Sequence, residues 1–115
     1  MVDAGDLPST TLGAGYHEPF VVRGTISSSF MYYVYVLQSK RASGGLYVGR
    51  TEDLRQRMRE HIAGKTWTTK RMLPVELIFY EAFKSKEDTI RRERYLKSSK
   101  GKSTLNLMLR NSLQV

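Results

Sequence analysis

Two short runs of apolar residues predict two strands that lie close together in the chain. Residues 31–37 read Met-Tyr-Tyr-Val-Tyr-Val-Leu, and this aromatic and β-branched composition favours a largely buried strand. Residues 46–49, Leu-Tyr-Val-Gly, form a second apolar run. The segment between them, residues 39–45, ends in two glycines and is typical of a turn. Two strands so near in sequence are expected to pair as an antiparallel hairpin.

A charged helix is predicted directly after the hairpin. Thr51 is a suitable N-cap, and Glu52 and Asp53 would lie in the first turn, where the helix dipole favours negative charge. Gly64 would end the helix, because glycine is the usual residue just past a helix C-terminus.

Two sets of residues, each at a spacing of four, predict two neighbouring faces of this helix. Leu54, Met58 and Ile62 predict its apolar face. Arg57 and His61 are also four apart, so their side chains are neighbours. We expect both at the border between core and water, where a side chain is held by packing and still reaches a ligand.

The rest of the chain predicts one more strand and two more helices. Residues 65–74 are expected to form a basic connection, and Val75–Phe83 the longest strand, buried on both faces and central in the sheet. Ser85 is expected to cap the next helix. Residues 98–103 are predicted to be a basic loop and residues 104–113 a short, mostly apolar helix. The predicted fold class is α+β, a small three-stranded antiparallel sheet flanked by helices in the order β-β-α-β-α-α.

The first thirty residues differ from the rest. Residues 1–30 are rich in Gly, Ser, Thr and Pro without a sustained period, and we expect a disordered extension before one domain of residues 31–115. Met31 directly precedes the first strand, so one hypothesis makes it the natural start. Mass spectrometry of the native protein tests this, and a peptide from before Met31 would contradict it.

The composition excludes several classes of protein. The chain has no cysteine, which excludes disulfides and thiolate metal sites and fits a cytoplasmic location. It has no run of about 18 apolar residues, so no transmembrane helix is expected. The N-terminus begins acidic and lacks a basic segment before an apolar one, which makes it a poor signal peptide.

The charge is unevenly distributed. The formal net charge is +8, yet residues 1–30 hold one basic and three acidic residues, while residues 31–115 hold eighteen basic and eight acidic ones. A domain with this balance should prefer polyanions, and we favour nucleic acid over a merely basic surface.

The hairpin and the helices carry a set of short motifs. These are the triplets Tyr33-Val34-Tyr35 and Tyr47-Val48-Gly49, then Arg57, His61 and the later Glu93. In this order and spacing the chain resembles the GIY-YIG nucleases, and most of all their small stand-alone bacterial members. The resemblance covers roughly residues 32–100, and the first triplet has tyrosine where the family name has glycine.

The resemblance implies a role for each motif residue. Glu93 would hold a Mg²⁺ or Mn²⁺ ion, and Arg57 would bind a phosphate oxygen with its fork of donors. Tyr35 or Tyr47 would take or relay a proton, and we favour Tyr35 as the base with Tyr47 as its orienting partner. His61 would relay that proton or contact the phosphate.

Each of these roles has a plainer alternative. A tyrosine ordinarily has a pKa of about 10 and acts as a base only if positive neighbours such as Arg57, Arg50 and the metal lower that value. Glu93 could instead belong to a surface charge network, because arginines flank it in sequence. Asn106 and Asn111 are available as the late asparagine that the family often carries, and neither matches a motif.

Five further residues are candidates for DNA binding. They are basic or aromatic and fall next to the second strand or in the basic connection: Arg50, Lys65, Trp67, Lys70 and Arg71. Trp67 would stack on a base, or it would fill a gap at the edge of the core; the sequence favours neither.

Two functions therefore compete. The first is a metal-dependent endonuclease that hydrolyses phosphodiester bonds in DNA, selects a DNA structure, and acts in repair or recombination. The alternative is a basic nucleic-acid-binding module on the same scaffold without catalysis. The complete set of motif residues favours the nuclease. The sequence does not decide whether the substrate is DNA or RNA, and it does not give the oligomeric state.

Overall fold

A three-stranded antiparallel sheet forms the centre of the protein. The computed structural model describes residues 30–42 and 44–113. The strands are β1 (Tyr32–Ser39), β2 (Leu46–Thr51) and β3 (Val75–Phe83), in the spatial order β2-β1-β3. Both strand pairs are antiparallel, so the predicted hairpin and the predicted α+β class are confirmed.

Within the described residues, four helices accompany the sheet. They are α1 (Leu54–Ile62), α2 (Trp67–Lys70), α3 (Lys86–Lys97) and α4 (Ser99–Met108). The observed order is thus the predicted one with a single addition. The short helix α2 lies in the segment that was expected to be an irregular basic connection.

Strand β1 lies at the centre and separates two apolar clusters. Val34 and Val36 belong to the cluster that includes Leu96 of α3 and Leu105 of α4. The alternate residues Tyr35 and Leu37 point to the other face, towards α1. The prediction that Val75–Phe83 would be the central strand is wrong, because β1 pairs on both sides and holds six consecutive buried residues.

The start of α1 differs from the prediction. Asp53 is the N-cap, and its carboxylate accepts a hydrogen bond from the Gln56 backbone N–H. Thr51 is not the cap, because it still belongs to β2, opposite Tyr33 of β1. The first turn therefore has no acidic residue. The helix ends as predicted before Gly64, whose φ of 74° is in the left-handed region that favours glycine.

The buried face of α1 is also rotated from the predicted one. Leu54 is buried and Met58 is half-buried, as expected. Ile62 is 68% exposed, and His61 beside it is 0% exposed, so the expected position of His61 at the border with water is wrong. A polar ring tolerates full burial only when its nitrogens have partners, and His61 has one at each nitrogen.

Helix α4 begins at Ser99, five residues earlier than predicted. The expected loop of residues 98–103 is wrong, because Ser98 caps the helix and its hydroxyl accepts from the Gly101 backbone N–H. Gly101 makes this start feasible. A Cβ there would lie 1.9 Å from the Tyr95 carbonyl oxygen and 2.5 Å from the Leu96 Cα, both backbone atoms of α3.

Gly101→Ala is therefore expected to destabilise the protein, although alanine ordinarily stabilises a helix relative to glycine. The two helices must move apart, at a cost on the order of 3 kcal/mol. Urea unfolding followed by circular dichroism measures it, with Ser103→Ala on the exposed side of α4 as the matched control. An unchanged midpoint for Gly101→Ala would contradict this account of the α3–α4 contact.

Two predictions about the N-terminal region stay predictions. The predicted disordered extension covers residues 1–30, of which residues 1–29 lie outside the described residues, and the hypothesis about Met31 likewise stays a prediction. Within the described ranges, no helix has both the length and the apolar character needed to cross a membrane.

Candidate active site

A buried chain of hydrogen bonds joins β1, α1 and α2. The Tyr35 hydroxyl lies 2.7 Å from Nε2 of His61, and Nδ1 of His61 lies 2.7 Å from the Thr69 hydroxyl. All three side chains are 0% exposed. Polar groups buried this deeply are costly unless each is satisfied, so the chain fixes all three side chains in place.

Arg57 connects this buried chain to the surface. Its Nε donates to the Tyr35 hydroxyl at 3.4 Å, and its Nη1 pairs with Glu60 at 2.8 Å. The side chain keeps 34% of its area exposed. The hydrogen bond to Tyr35 raises the pKa of Arg57 above its ordinary value. A fixed, charged guanidinium thus lies where it contacts both Tyr35 and the solvent.

Tyr35 and His61 are both neutral near pH 7. Burial raises the pKa of Tyr35 to about 12, and the hydrogen bond from Arg57 only partly opposes this. The condition for Tyr35 to act as a base, a pKa lowered by positive neighbours, is not met in the free protein, because burial outweighs the effect of Arg57. Burial, followed by the charge of Arg57, lowers the pKa of His61.

Tyr47 completes the aromatic side of the site. Its ring centroid lies 6.2 Å from that of Tyr35 and 5.4 Å from that of His61. The glycine of the same triplet is required for this packing. A Cβ on Gly49 would lie 2.5 Å from the Tyr35 hydroxyl oxygen and 2.9 Å from a Tyr47 ring carbon. The second triplet therefore supplies the Tyr47 ring and, because Gly49 has no side chain, the space that the Tyr35 hydroxyl occupies beside it.

Glu93 lies in a second cluster, between β2 and α3. Its carboxylate accepts from Nε of Arg50 at 3.0 Å and pairs with Nζ of Lys97 at 3.1 Å. Its side chain is 18% exposed. These partners are not the arginines that flank Glu93 in sequence. Lys97 was missed, although its i, i+4 spacing from Glu93 is a recognisable signal.

The donor set fits Mg²⁺ or Mn²⁺ in one particular way. Among the described residues, no group of three or more histidine, aspartate or glutamate side chains could hold a metal. Mg²⁺ nevertheless binds through one or two carboxylates, with waters and substrate phosphates as its other ligands. Glu93 offers one hard carboxylate, and in the free protein Arg50 and Lys97 compete for it. The residues therefore fit a metal that is held jointly with a phosphate.

One member of each cluster borders the same cavity. Tyr47 from the aromatic side and Lys97 from the Glu93 side line a space of about 470 Å³ between β2, α3 and α4. Arg50, which binds Glu93, directly follows Gly49, which packs on Tyr35. These contacts join four of the motif residues, Tyr35, Tyr47, Arg57 and His61, whereas Glu93 lies apart from them in the cluster with Arg50 and Lys97.

The remaining candidates form an exposed surface on and around α2. Lys65, Trp67, Lys70 and Arg71 are all exposed, and they lie outside the buried chain. Trp67 is 68% exposed, so it does not fill a gap in the core. The Arg71 guanidinium carbon lies 4.9 Å from the centre of the Trp67 ring. We call these four residues the α2 surface. It connects to the site through Thr69, a residue that no sequence signal marked.

Comparison with known families shows where these residues belong. Residues 31–106, more than half of the chain, match the model of the GIY-YIG catalytic domain. The chain belongs to the GIY-YIG family. The resemblance carried by the two tyrosine triplets is thereby confirmed. The GIY-YIG domain indicates a nuclease, and hence a nucleic acid as its substrate.

Several curated bacterial proteins resemble this GIY-YIG chain. A UPF0213 protein of Streptococcus pyogenes serotype M5 is 43% identical over 72 residues, which cover 62% of this chain and 76% of the relative. A UPF0213 protein of Streptococcus pneumoniae is 41% identical over 69 residues, or 59% of this chain and 68% of the relative. The comparison with solved structures found no significant match to the chain.

Proposed function

We propose that residues 31–115 form a divalent-metal-dependent endonuclease domain that hydrolyses phosphodiester bonds in DNA. One observation supports this most. A buried tyrosine, Tyr35, is hydrogen-bonded to a neutral histidine on one side and to a charged, partly exposed arginine on the other. A protein that only binds DNA has no use for such an arrangement, whereas phosphodiester hydrolysis needs both proton transfer and charge stabilisation.

Three side chains divide the work at the scissile phosphate. Arg57 donates to a non-bridging phosphate oxygen through the part of its guanidinium that faces solvent, and it stabilises the charge that develops there. In the DNA complex, where the attacking water reaches the Tyr35 hydroxyl that is buried in the free protein, this hydroxyl takes up the proton of the water as it passes its own proton to Nε2 of His61, 2.7 Å away. Tyr35 therefore never has to be ionised in the free protein, in agreement with its raised pKa. Tyr47 packs on both rings and orients them.

Glu93 is the metal ligand in this proposal. When bound, Mg²⁺ or Mn²⁺ would act as a Lewis acid on the phosphate. Arg50 and Lys97 neutralise Glu93 in the free protein and are drawn to the DNA backbone when the phosphates approach. Metal affinity should therefore be low without DNA and rise with it.

The substrate is proposed to be a DNA structure such as a nick, a flap or a branch. The α2 surface offers charges for the backbone and one aromatic ring for stacking, and such contacts position a nucleic acid without reading its sequence. Repair and recombination produce substrates of this kind. The lack of cysteine agrees with a role in the cytoplasm.

Trp67→Ala is expected to weaken binding to a flapped DNA about tenfold, which corresponds to the loss of one base-stacking contact. Fluorescence anisotropy with a labelled flap in EDTA measures it. Ile62→Ala is the matched control, because Ile62 is equally exposed, at 68%, on the neighbouring helix α1. Equal affinities of the two variants would remove Trp67 from the DNA-binding surface.

The function itself is tested with supercoiled plasmid. The full chain is incubated with plasmid in Mg²⁺, in Mn²⁺ and in EDTA, and DNA binding is measured in parallel. Nicking with either metal and none in EDTA supports the nuclease. Binding without nicking under all three conditions would favour the alternative, a non-catalytic DNA-binding module on this scaffold.

A further inference from the structure

The mechanism proposed above assigns no role to Thr69. Its hydroxyl lies 2.7 Å from Nδ1 of His61, on the side of the ring opposite Tyr35. The Thr69 side chain is 0% exposed, so water does not compete for this contact. Its backbone N–H donates to the Thr66 carbonyl at 3.1 Å, in the turn that opens α2. A β-branched side chain also has little rotational freedom, which holds the hydroxyl in this position.

We infer that Thr69 is a positioning residue that keeps the proton of His61 on Nδ1 and leaves Nε2 free to accept the Tyr35 proton. The inference rests on the proposed nuclease function, in which His61 accepts that proton. It assigns a task to a residue outside the motifs. The short helix α2, in a segment expected to be irregular, is the element that brings the Thr69 hydroxyl to the His61 ring.

Arg57 limits how the Tyr35 hydroxyl can place its hydrogen. A guanidinium only donates, so the hydrogen bond from its Nε occupies a lone pair of the Tyr35 oxygen. A neutral Tyr35 has one hydrogen of its own to place. The 2.7 Å distance to Nε2 of His61 allows either atom to be the donor, and we assign the Tyr35 O–H as the donor and Nε2 as the acceptor because the Arg57 hydrogen bond already lies on the Tyr35 oxygen.

The protonation of His61 then follows. A neutral imidazole carries one N–H, so accepting at Nε2 requires the hydrogen to be on Nδ1. Nδ1–H needs an acceptor in a place that water does not reach, and the Thr69 hydroxyl is at the right distance. In histidine sites generally, the partner of one nitrogen decides which state the other adopts.

The test compares Thr69→Val, which keeps the shape and removes the hydroxyl, with Thr69→Ser, which keeps the hydroxyl. The ¹⁵N chemical shifts of the His61 ring report the tautomer directly. The chain has two histidines, so His17→Gln in all samples leaves one ring to observe. We expect the Nδ1–H tautomer in the unmodified protein and in Thr69→Ser, and its loss in Thr69→Val.

Plasmid nicking in Mg²⁺ gives the second readout. Thr69→Val should lower the rate about 10²-fold, the lower end of what a positioned proton acceptor contributes, with DNA affinity unchanged. Thr69→Ser should restore the rate to within a few-fold of the unmodified protein.

Two results would overturn the inference. One is an Nε2–H tautomer in the unmodified protein, a measurement that needs no variant to fold. The other is a folded Thr69→Val protein with the original tautomer and the original rate. If even the unmodified protein fails to nick, the nuclease proposal fails, while the ¹⁵N shifts still decide whether Thr69 sets the tautomer.

Discussion

Replacing Tyr35 with phenylalanine is expected to lower the rate of metal-dependent DNA cleavage by about 10²- to 10⁴-fold, the usual contribution of a positioned proton-transfer group. The substitution removes one oxygen atom that is bonded to His61 at 2.7 Å and to Arg57 at 3.4 Å. The proton path to His61 is then broken. The phenyl ring keeps the packing of β1 against α1, so the change is confined to chemistry and hydrogen bonding.

Stability must be measured beside this rate. Leaving Nε2 of His61 buried without a partner costs about 1–3 kcal/mol. Urea unfolding of Tyr35→Phe gives that cost, and the cleavage assay is run where the variant is fully folded. Tyr33→Phe is the matched control, because Tyr33 is on the same strand and its ring packs on Tyr80 instead. Cleavage by Tyr35→Phe at the rate of the control would exclude Tyr35 from proton transfer.

Replacing Glu93 with glutamine is expected to have two opposite effects. Cleavage in Mg²⁺ should fall about 10³-fold, because the metal supplies several kcal/mol of stabilisation to the transition state. DNA affinity in EDTA should rise, because the change removes a negative charge and releases Arg50 and Lys97 for phosphates. The side chain keeps its size, so neither effect requires a change of fold.

Glu87→Gln serves as the control for this substitution. Glu87 is an exposed carboxylate on the same helix and is bonded to Ser85 at the helix start. It should leave the cleavage rate as it is. The Mn²⁺ affinity, followed by electron paramagnetic resonance with and without DNA, separates a metal ligand from a structural residue. Equal Mn²⁺ binding by Glu93→Gln and the unmodified protein would show that Glu93 is not the ligand.

Much of the fold follows from local patterns in the sequence. The apolar run of β1 predicts a buried strand because its alternate side chains pack on both faces. Gly64 and Ser85 mark helix boundaries by backbone geometry and capping, and both predictions are confirmed. In these places the local signal and the tertiary contacts favour the same structure.

The errors arise where tertiary contacts outweigh local preference. Thr51 is a good cap in isolation, yet pairing with Tyr33 keeps it in the sheet and moves the cap to Asp53. Ile62 is more apolar than His61, yet His61 is the buried one because Tyr35 and Thr69 satisfy its nitrogens. Hydropathy alone gives no sign of such partners.

In the candidate site too, some features follow from the sequence and others depend on tertiary contacts. The order and spacing of the motifs group five residues into one predicted site: Tyr35, Tyr47, Arg57, His61 and Glu93. Motif order does not give the neutral state of Tyr35, which depends on burial, or the ion pairs of Glu93, which join separate elements. Thr69 carries no sequence signal at all, because its relevance depends only on where α2 is packed.

Metal-dependent DNA cleavage through Glu93 is tested most directly by a single-turnover cleavage rate. One labelled flapped duplex is cleaved in Mg²⁺ by an excess of protein, and the unmodified chain and Glu93→Gln are measured side by side. Excess protein removes differences in DNA affinity from the comparison. We expect cleavage by the unmodified chain and a rate about 10³-fold lower for the variant. Equal rates, or no cleavage by either protein while both bind the duplex, would contradict this expectation.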